Sequence, residues 1–281
     1  MYNGFIKSNI NINNATMVCY EKGKGDTTCI LSCGWAVPFP FSDMFELADT
    51  LSKTYRCVVF DRFGYGFSDS SNDRRGFSAI TKETKLLCEE LHISGNVIYI
   101  GHSLSTFHAL DFAKTFPDMI KGLVLIDGYY FDSFLGRMLF GINWMSAYYF
   151  LLLKKLGLID KIEDEKLKKA LLGDRVIPDE ILKDTLDISR KRLYNKTILS
   201  ELSASIRDLK SLNSGLDALD FPVVAICRNI TYKNNFKKHA FLRKLSVINV
   251  GKSSHFIHYE YPEKIVDEVN KILIFSSSNQ V

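Results

Sequence analysis

The chain is predicted to adopt an α/β fold, a mostly parallel doubly wound sheet carrying one helical insertion. Three observations predict it. Short apolar runs alternate with helical patterns through most of the chain. Several of those runs end abruptly on Gly or Asp. The interval from about Tyr130 to Leu219 breaks the alternation and reads as helices alone. At 281 residues the chain can bury a full core as one domain with an insertion.

In order along the chain, Cys29-Ile30-Leu31-Ser32 leads into Cys33-Gly34, and Cys57-Val58-Val59-Phe60 ends at Asp61. Asn96 to Ile100 ends at Gly101, and Leu123 to Ile126 ends at Asp127. Pro222 to Cys227 and Leu245 to Val250 supply two more runs. Most are short and apolar, as expected of parallel strands covered on both faces. Between them, Ile80, Leu87 and Leu91 share a helix face over Ile80 to His92. A second helix runs from Thr106 to Phe116 and stops at Pro117, and a last one starts near Pro262. In the insertion, Gly173 and Pro178 punctuate helices whose charges alternate in sign, the pattern of a solvated face. The expected organisation is a core over 1–129 and 220–281 with a helical cap over 130–219.

Hydrophobic content of 46% and charged content of 24% are those of an ordinary globular protein. A net charge of +4, mixed in sign along the chain, is too mild to argue for nucleic acid. The first residues hold no basic segment followed by an apolar one, so a cytoplasmic location is the expectation. Six scattered cysteines without C-x-x-C spacing read as reduced, buried thiols rather than disulfides or zinc ligands. Met138 to Leu153 is uncharged and aromatic-rich, but shorter than the roughly 20 residues that cross a bilayer. It reads as a buried or pocket-lining helix, the sharper alternative being a patch that touches lipid or a greasy substrate.

The chemistry centres on Gly101-His102-Ser103-Leu104-Ser105, which follows an apolar run and precedes a helical pattern. A sharp strand-to-helix turn needs small flanking residues; Gly101 is one, and Ser105 stands where such motifs usually carry a second Gly. The bland alternative for Ser103 is a helix-capping serine. With this motif in place, the chain resembles the α/β-hydrolase superfamily over nearly its whole length. Asp61-Arg62-Phe63-Gly64-Tyr65-Gly66-Phe67-Ser68-Asp69 is similar to that family's D-x-x-G-x-G-x-S-D loop, whose role there is mainly structural.

The resemblance implies Ser103 as nucleophile and His255 as base. His255 lies in Gly251-Lys252-Ser253-Ser254-His255-Phe256-Ile257-His258, with His258 as competitor. The family most often carries its acid after the strand corresponding to Val223–Cys227, but Arg228 to Asn235 contains no carboxylate. A variation seen among some haloalkane dehalogenases places it one strand earlier, where Asp127 stands. Asp132, an Asn229-oriented base or an acid-less dyad are the alternatives. For the oxyanion hole the resemblance implies the backbone N–H groups of Leu104 and Trp35. Cys33 replaces the His of the family's His-Gly-x loop. Cys33 itself reads as an inert buried thiol. His102, Trp144 and Tyr148 are candidate pocket residues, and His92, His108 and His239 read as structural.

The expected activity is hydrolysis of a carboxylic ester of a hydrophobic small molecule through an acyl-enzyme, with an amide or a C–C bond beside a carbonyl as variants. Serine at the nucleophile position argues against dehalogenase and epoxide hydrolase chemistry, which use Asp there. No metal or organic cofactor is implied; the expected partner is a small-molecule substrate, and the oligomeric state stays open. Two alternatives remain: a weakly catalytic or non-catalytic ligand-binding protein on the same fold, and an acyltransferase.

Overall fold

Side chains of the central strands alternate between two buried faces, and that double burial organises the molecule. The computed structural model describes residues 2–128, 134–212, 216, 219–228 and 244–278. Eight strands form one sheet: β1 (Ile6–Ile12), β2 (Ala15–Lys22), β3 (Thr28–Ser32), β4 (Arg56–Asp61), β5 (Val97–His102), β6 (Ile120–Ile126), β7 (Val223–Cys227) and β8 (Leu245–Asn249). Their order is β1-β2-β4-β3-β5-β6-β7-β8. The pairs β1–β2 and β2–β4 are antiparallel; every other pair is parallel.

On one face Leu31, Val59, Ile100, Val124 and Ile226 pack with α1 (Pro40–Leu51) and the C-terminal helix α9 (Pro262–Ser278). On the other, Ile30, Val58, Tyr99, Leu123 and Ala225 pack with α2 (Phe77–Glu90) and α3 (Ser105–Thr115). Helices on both faces are what keep a parallel sheet out of water. α4 (Phe134–Lys155), α5 (Asp164–Leu172), α6 (Asp179–Arg192) and α7 (Lys196–Leu212) lie in sequence between β6 and β7. Gly173 ends α5 at φ 62°, and Pro178 precedes α6. A single turn, α8 (Ile257–Glu260), precedes α9.

The β1–β2 hairpin and α1 are among the elements outside the sequence reading. The β1–β2 hairpin turns at Asn13 and Asn14, with φ of 53° and 64°, so two asparagines supply the positive φ values a two-residue hairpin loop requires. α1 buries Pro40 through Phe45 together with Leu47, Ala48 and Leu51, leaving little polar face to mark it as helical. The described cysteines are free and buried, all six of them. Among the described residues no helix is long and apolar enough to cross a membrane. The second half of α4 differs from the buried helix expected of Met138 to Leu153: Met145, Tyr148, Tyr149 and Leu152 are exposed, while Ala147 is buried.

The Asp61–Asp69 loop wraps a buried carboxyl group. Asp61 Oδ2 accepts hydrogen bonds from the Phe67 N–H (3.0 Å) and the Tyr20 hydroxyl (3.2 Å). A side chain at Gly66 would collide with that carboxyl, and Gly66 holds φ 50°. Burial pushes Asp61 up from 3.8 to about 7, against the opposing hydrogen bonds from Phe67 and Tyr20. The folded state therefore binds a proton that the unfolded chain has already released between pH 4 and 7. Stability is expected to fall with rising pH across that window, by up to about 1.4 kcal/mol per pH unit from this group. Urea titrations of wild type and Asp61→Asn should show the variant with the flatter profile; parallel profiles would contradict this assignment.

Candidate active site

The candidate residues converge because they terminate neighbouring parallel strands. β5 ends at His102 and β6 at Ile126, which pair directly, so Ser103 and Asp127 emerge side by side. Ile126 also pairs with Ile226, which brings Arg228 beside Asp127. β8 feeds the loop that carries His255. The carboxyl ends of parallel strands are where open α/β sheets present their ligand sites.

Ser103 stands at φ 55° between β5 and α3, a left-handed conformation that costs a non-glycine residue on the order of 1–3 kcal/mol. The surrounding bonds enforce it. The Ser103 N–H donates to Ile126 O (2.9 Å), and Ser103 O accepts from the N–H (3.1 Å) and hydroxyl (2.8 Å) of Thr106. Leu104 has helical dihedrals and α3 begins at Ser105, so the nucleophile candidate sits at a helix start. A Cβ at Gly101 would lie 2.4 Å from Ser105 O, which explains the glycine. Ser105 is fully buried and fits because its hydroxyl is bonded: it donates to Cys33 O and lies 3.0 Å from Ser32 Oγ and 3.2 Å from His108 Nδ1.

Ser103, His255 and Asp127 form a hydrogen-bonded line. His255 Nδ1 is 2.6 Å from Asp127 Oδ2, and His255 Nε2 is 3.0 Å from Ser103 Oγ. A carboxylate accepts, so Nδ1 carries the proton and Nε2 is left to accept from the serine hydroxyl. Asp127 and Ser103 are buried, while the His255 side chain is 22% exposed. The Arg228 N–H donates to Asp127 Oδ1 (3.4 Å), and its guanidinium Nε lies 3.0 Å from Oδ2. The segment after β7 thus brings a cation to the carboxylate supplied by β6. Asp132, Asn229 and His239 lie outside the described residues.

A second buried group backs His255. His102 Nε2 is 3.0 Å from His255 O and must donate to that carbonyl, which turns Nδ1 toward Asp43 Oδ2 at 3.9 Å. His102 is buried, so it braces the backbone behind His255 rather than lining an open pocket wall as expected from sequence. Burial, with His258 and His255 nearby, holds its pKa well below the usual histidine range. His258 Nε2 lies 3.4 Å from Asp43 Oδ2, and the Tyr259 hydroxyl donates to Oδ1. Burial opposes the Asp43 charge, yet the attraction and hydrogen bonding of His258, with the Tyr259 hydroxyl, keep its carboxyl below the ordinary range. Asp43, His102 and His258 are also the group, among the described residues, whose ligand atoms lie within 4.8 Å of one another and could hold a metal.

The loop after β3 runs against Ser103. A Cβ on Gly34 would come within 3.0 Å of Ser103 Cβ and 3.5 Å of its Oγ, so glycine permits the approach. Cys33 is fully buried, and burial pushes its thiol well up, outweighing the opposing effect of Arg62. Trp35 contacts Tyr194, which stacks on Phe150 of α4 with ring centroids 5.2 Å apart. Tyr148 is about half exposed on α4, and the side chain of Trp144 lies outside the described set. His108 is a buried neighbour of Ser105, while exposed His92 caps a turn after α2 at φ 55°.

A family model for the alpha/beta hydrolase fold matches residues 37–166. The chain is 25% identical over 239 residues to the uncharacterized protein YbdG of Bacillus subtilis (strain 168), covering 82% of this chain and 71% of that one. Its structure is similar to Cfl2 from Burkholderia cenocepacia, with a TM-score of 0.74, 18% identity and 95% of each chain covered. It is also similar to a loop variant of the haloalkane dehalogenase DbeA from Bradyrhizobium elkanii, with a TM-score of 0.71, 16% identity and 98% of each chain covered. The eight-stranded sheet with flanking helices is the α/β-hydrolase fold, which these structures share.

The packing at Gly101 makes a direct prediction. Gly101→Ala forces its methyl against the Ser105 backbone and should destabilise the fold by about 1–3 kcal/mol. Urea denaturation checks this, and an unchanged midpoint would show that the turn has slack.

Proposed function

We propose that the chain is a serine hydrolase cleaving a carboxylic ester of a hydrophobic small molecule through an acyl-enzyme on Ser103. The observation that carries this reading is the line from Ser103 through His255 to Asp127, at 3.0 and 2.6 Å, on a strand-to-helix turn. His255 takes the hydroxyl proton as Ser103 attacks the carbonyl carbon, and Asp127 stabilises the imidazolium that forms. The backbone N–H groups of Leu104 and Trp35 receive the developing oxyanion. Collapse of the tetrahedral adduct breaks the ester bond, and His255 passes its proton to the departing alcohol. Water, deprotonated by the same imidazole, then releases the acid.

The non-catalytic reading drew on the missing carboxylate after β7. Asp127 beside His255 supplies a carboxylate from the neighbouring strand, so we favour the enzyme. Rings from Phe150 through Tyr194 to Trp35 lead toward the Gly34 loop, which supports an apolar substrate portion.

A fluorophosphonate probe is expected to label the wild type and not Ser103→Ala, and p-nitrophenyl esters of graded chain length should be turned over. Neither labelling nor turnover would remove the hydrolase reading in favour of a binding protein. Asp127→Asn should lower kcat by roughly 10⁴-fold, the loss typical of a triad aspartate. A loss below about tenfold would mean that another group, or none, fills the acid role.

A further inference from the structure

Two departures from the family pattern, Cys33 in place of His and Ser105 in place of Gly, meet at one buried side chain. Arg62, from the Asp61–Asp69 loop, is 1% exposed. Its Nη1 lies 3.0 Å from Cys33 O, 3.0 Å from Ser32 Oγ and 3.2 Å from Ser105 Oγ. Its Nη2 donates to Gly34 O at 3.2 Å. The guanidinium thus holds two successive carbonyls of the loop that carries Trp35, while the Ser105 hydroxyl donates to the first of them. The remaining side of the fork is taken by Glu201 of α7, at 3.0 Å from Nη2 and 3.4 Å from Nε, and Glu201 is fully buried.

α7 also reaches Trp35 of that loop and Leu104 of the turn at Ser103. Trp35 Nε1 donates to Ile198 O at 2.8 Å, and Leu202 packs on Leu104 with Trp35 alongside. Ile198, Glu201 and Leu202 are spaced i, i+3 and i+4, so one helix face meets both residues whose N–H groups would form the oxyanion hole.

We propose that Arg62 and Glu201 are positioning residues for the oxyanion hole, and that α7 clamps the loop in the place where the α/β-hydrolase pattern carries a His-Gly-x imidazole. Glu201 keeps the Arg62 charge paired in a dry site and aims its fork at the Cys33 and Gly34 carbonyls. The orientation of those carbonyls sets the direction of the peptide N–H groups that follow, Trp35 included. Acyl transfer is then efficient only when α7 is seated. The chemical consequence rests on the proposed role of Ser103, whereas the structural coupling does not.

The test compares Glu201→Gln with the double variant Arg62→Met/Glu201→Met, which removes both buried charges together. If the pair served only to fasten α7, the double variant would regain the wild-type melting temperature and its ester turnover. The positioning role predicts that it regains the melting temperature while kcat stays roughly tenfold to a hundredfold down, the scale of a misplaced oxyanion donor. KM should stay within about threefold of wild type, because the lost interaction belongs to the transition state. Affinity for a trifluoromethyl ketone, which forms a tetrahedral adduct, should fall in parallel with kcat. Recovery of kcat to within about twofold would overturn the proposal.

A readout independent of turnover separates this proposal from the hydrolase reading. The chain has two tryptophans, and Trp144→Phe leaves Trp35 alone. In that background Glu201→Gln should shift Trp35 emission to the red as the loop loosens from α7. Unchanged emission from folded Glu201→Gln protein would overturn the coupling, whether or not the wild type hydrolyses esters.

Discussion

The left-handed backbone at Ser103 is the constraint around which the site is built. A serine with φ 55° does not hold itself there; the Ser103 N–H to Ile126 O bond and the two Thr106 donors on its carbonyl hold it. That turn ends β5 so that the side chain stands at the carboxyl end of the sheet, and it starts α3 immediately behind it. It also crowds the inside of the turn, so that position 101 tolerates no Cβ and position 105 must be small. The Ser105 hydroxyl then becomes a buried polar group in need of partners, and Cys33 O, Ser32 and Arg62 supply them.

Two separate networks lead outward from that turn. One runs through His255 to Asp127 and Arg228 and, in the proposed reaction, receives the proton of Ser103. The other runs through Ser105, Cys33 and Arg62 to Glu201 and governs the backbone opposite the hydroxyl. A third buried cluster, Asp43 with His102, His258 and Tyr259, grips the His255 main chain from behind. The imidazole is thus held by its ring on one side and by its own carbonyl on the other.

Much of this was legible in the sequence, for definite reasons. Doubly buried parallel strands are short and apolar, so β3 to β7 could be read directly; β8, a partly exposed edge strand, is still apolar enough to read, and Ser103 and Asp127 sit where such runs stop. Ser103 and His255 stood out by local context. Asp127 was harder, because a carboxylate at a strand end fits both a bracing and a catalytic part; its 2.6 Å separation from His255 Nδ1, which supports the proposed catalytic part, comes from the fold and not from any local pattern. The β1–β2 hairpin escaped because β1 is a largely exposed edge strand with a polar pattern, and α1 escaped because it is buried on nearly all sides. Arg62 lay inside a recognised loop, but its partner Glu201 is 139 residues away on a helix whose charges read as solvated. No local pattern encodes that pairing. His102 was misplaced for a similar reason: its partners, Asp43 and the His255 carbonyl, come from distant segments.

The central claim is that Ser103 carries the acyl group between substrate and water. Rapid quenching of the protein with an excess of p-nitrophenyl ester, followed by intact-mass analysis and peptide mapping, tests it most directly. The account predicts a transient mass gain equal to one acyl group, located on the peptide containing Ser103 and accumulating in His255→Ala only far more slowly. Ester turnover with the acyl group on another residue, or with no acyl adduct at any quench time, would contradict it.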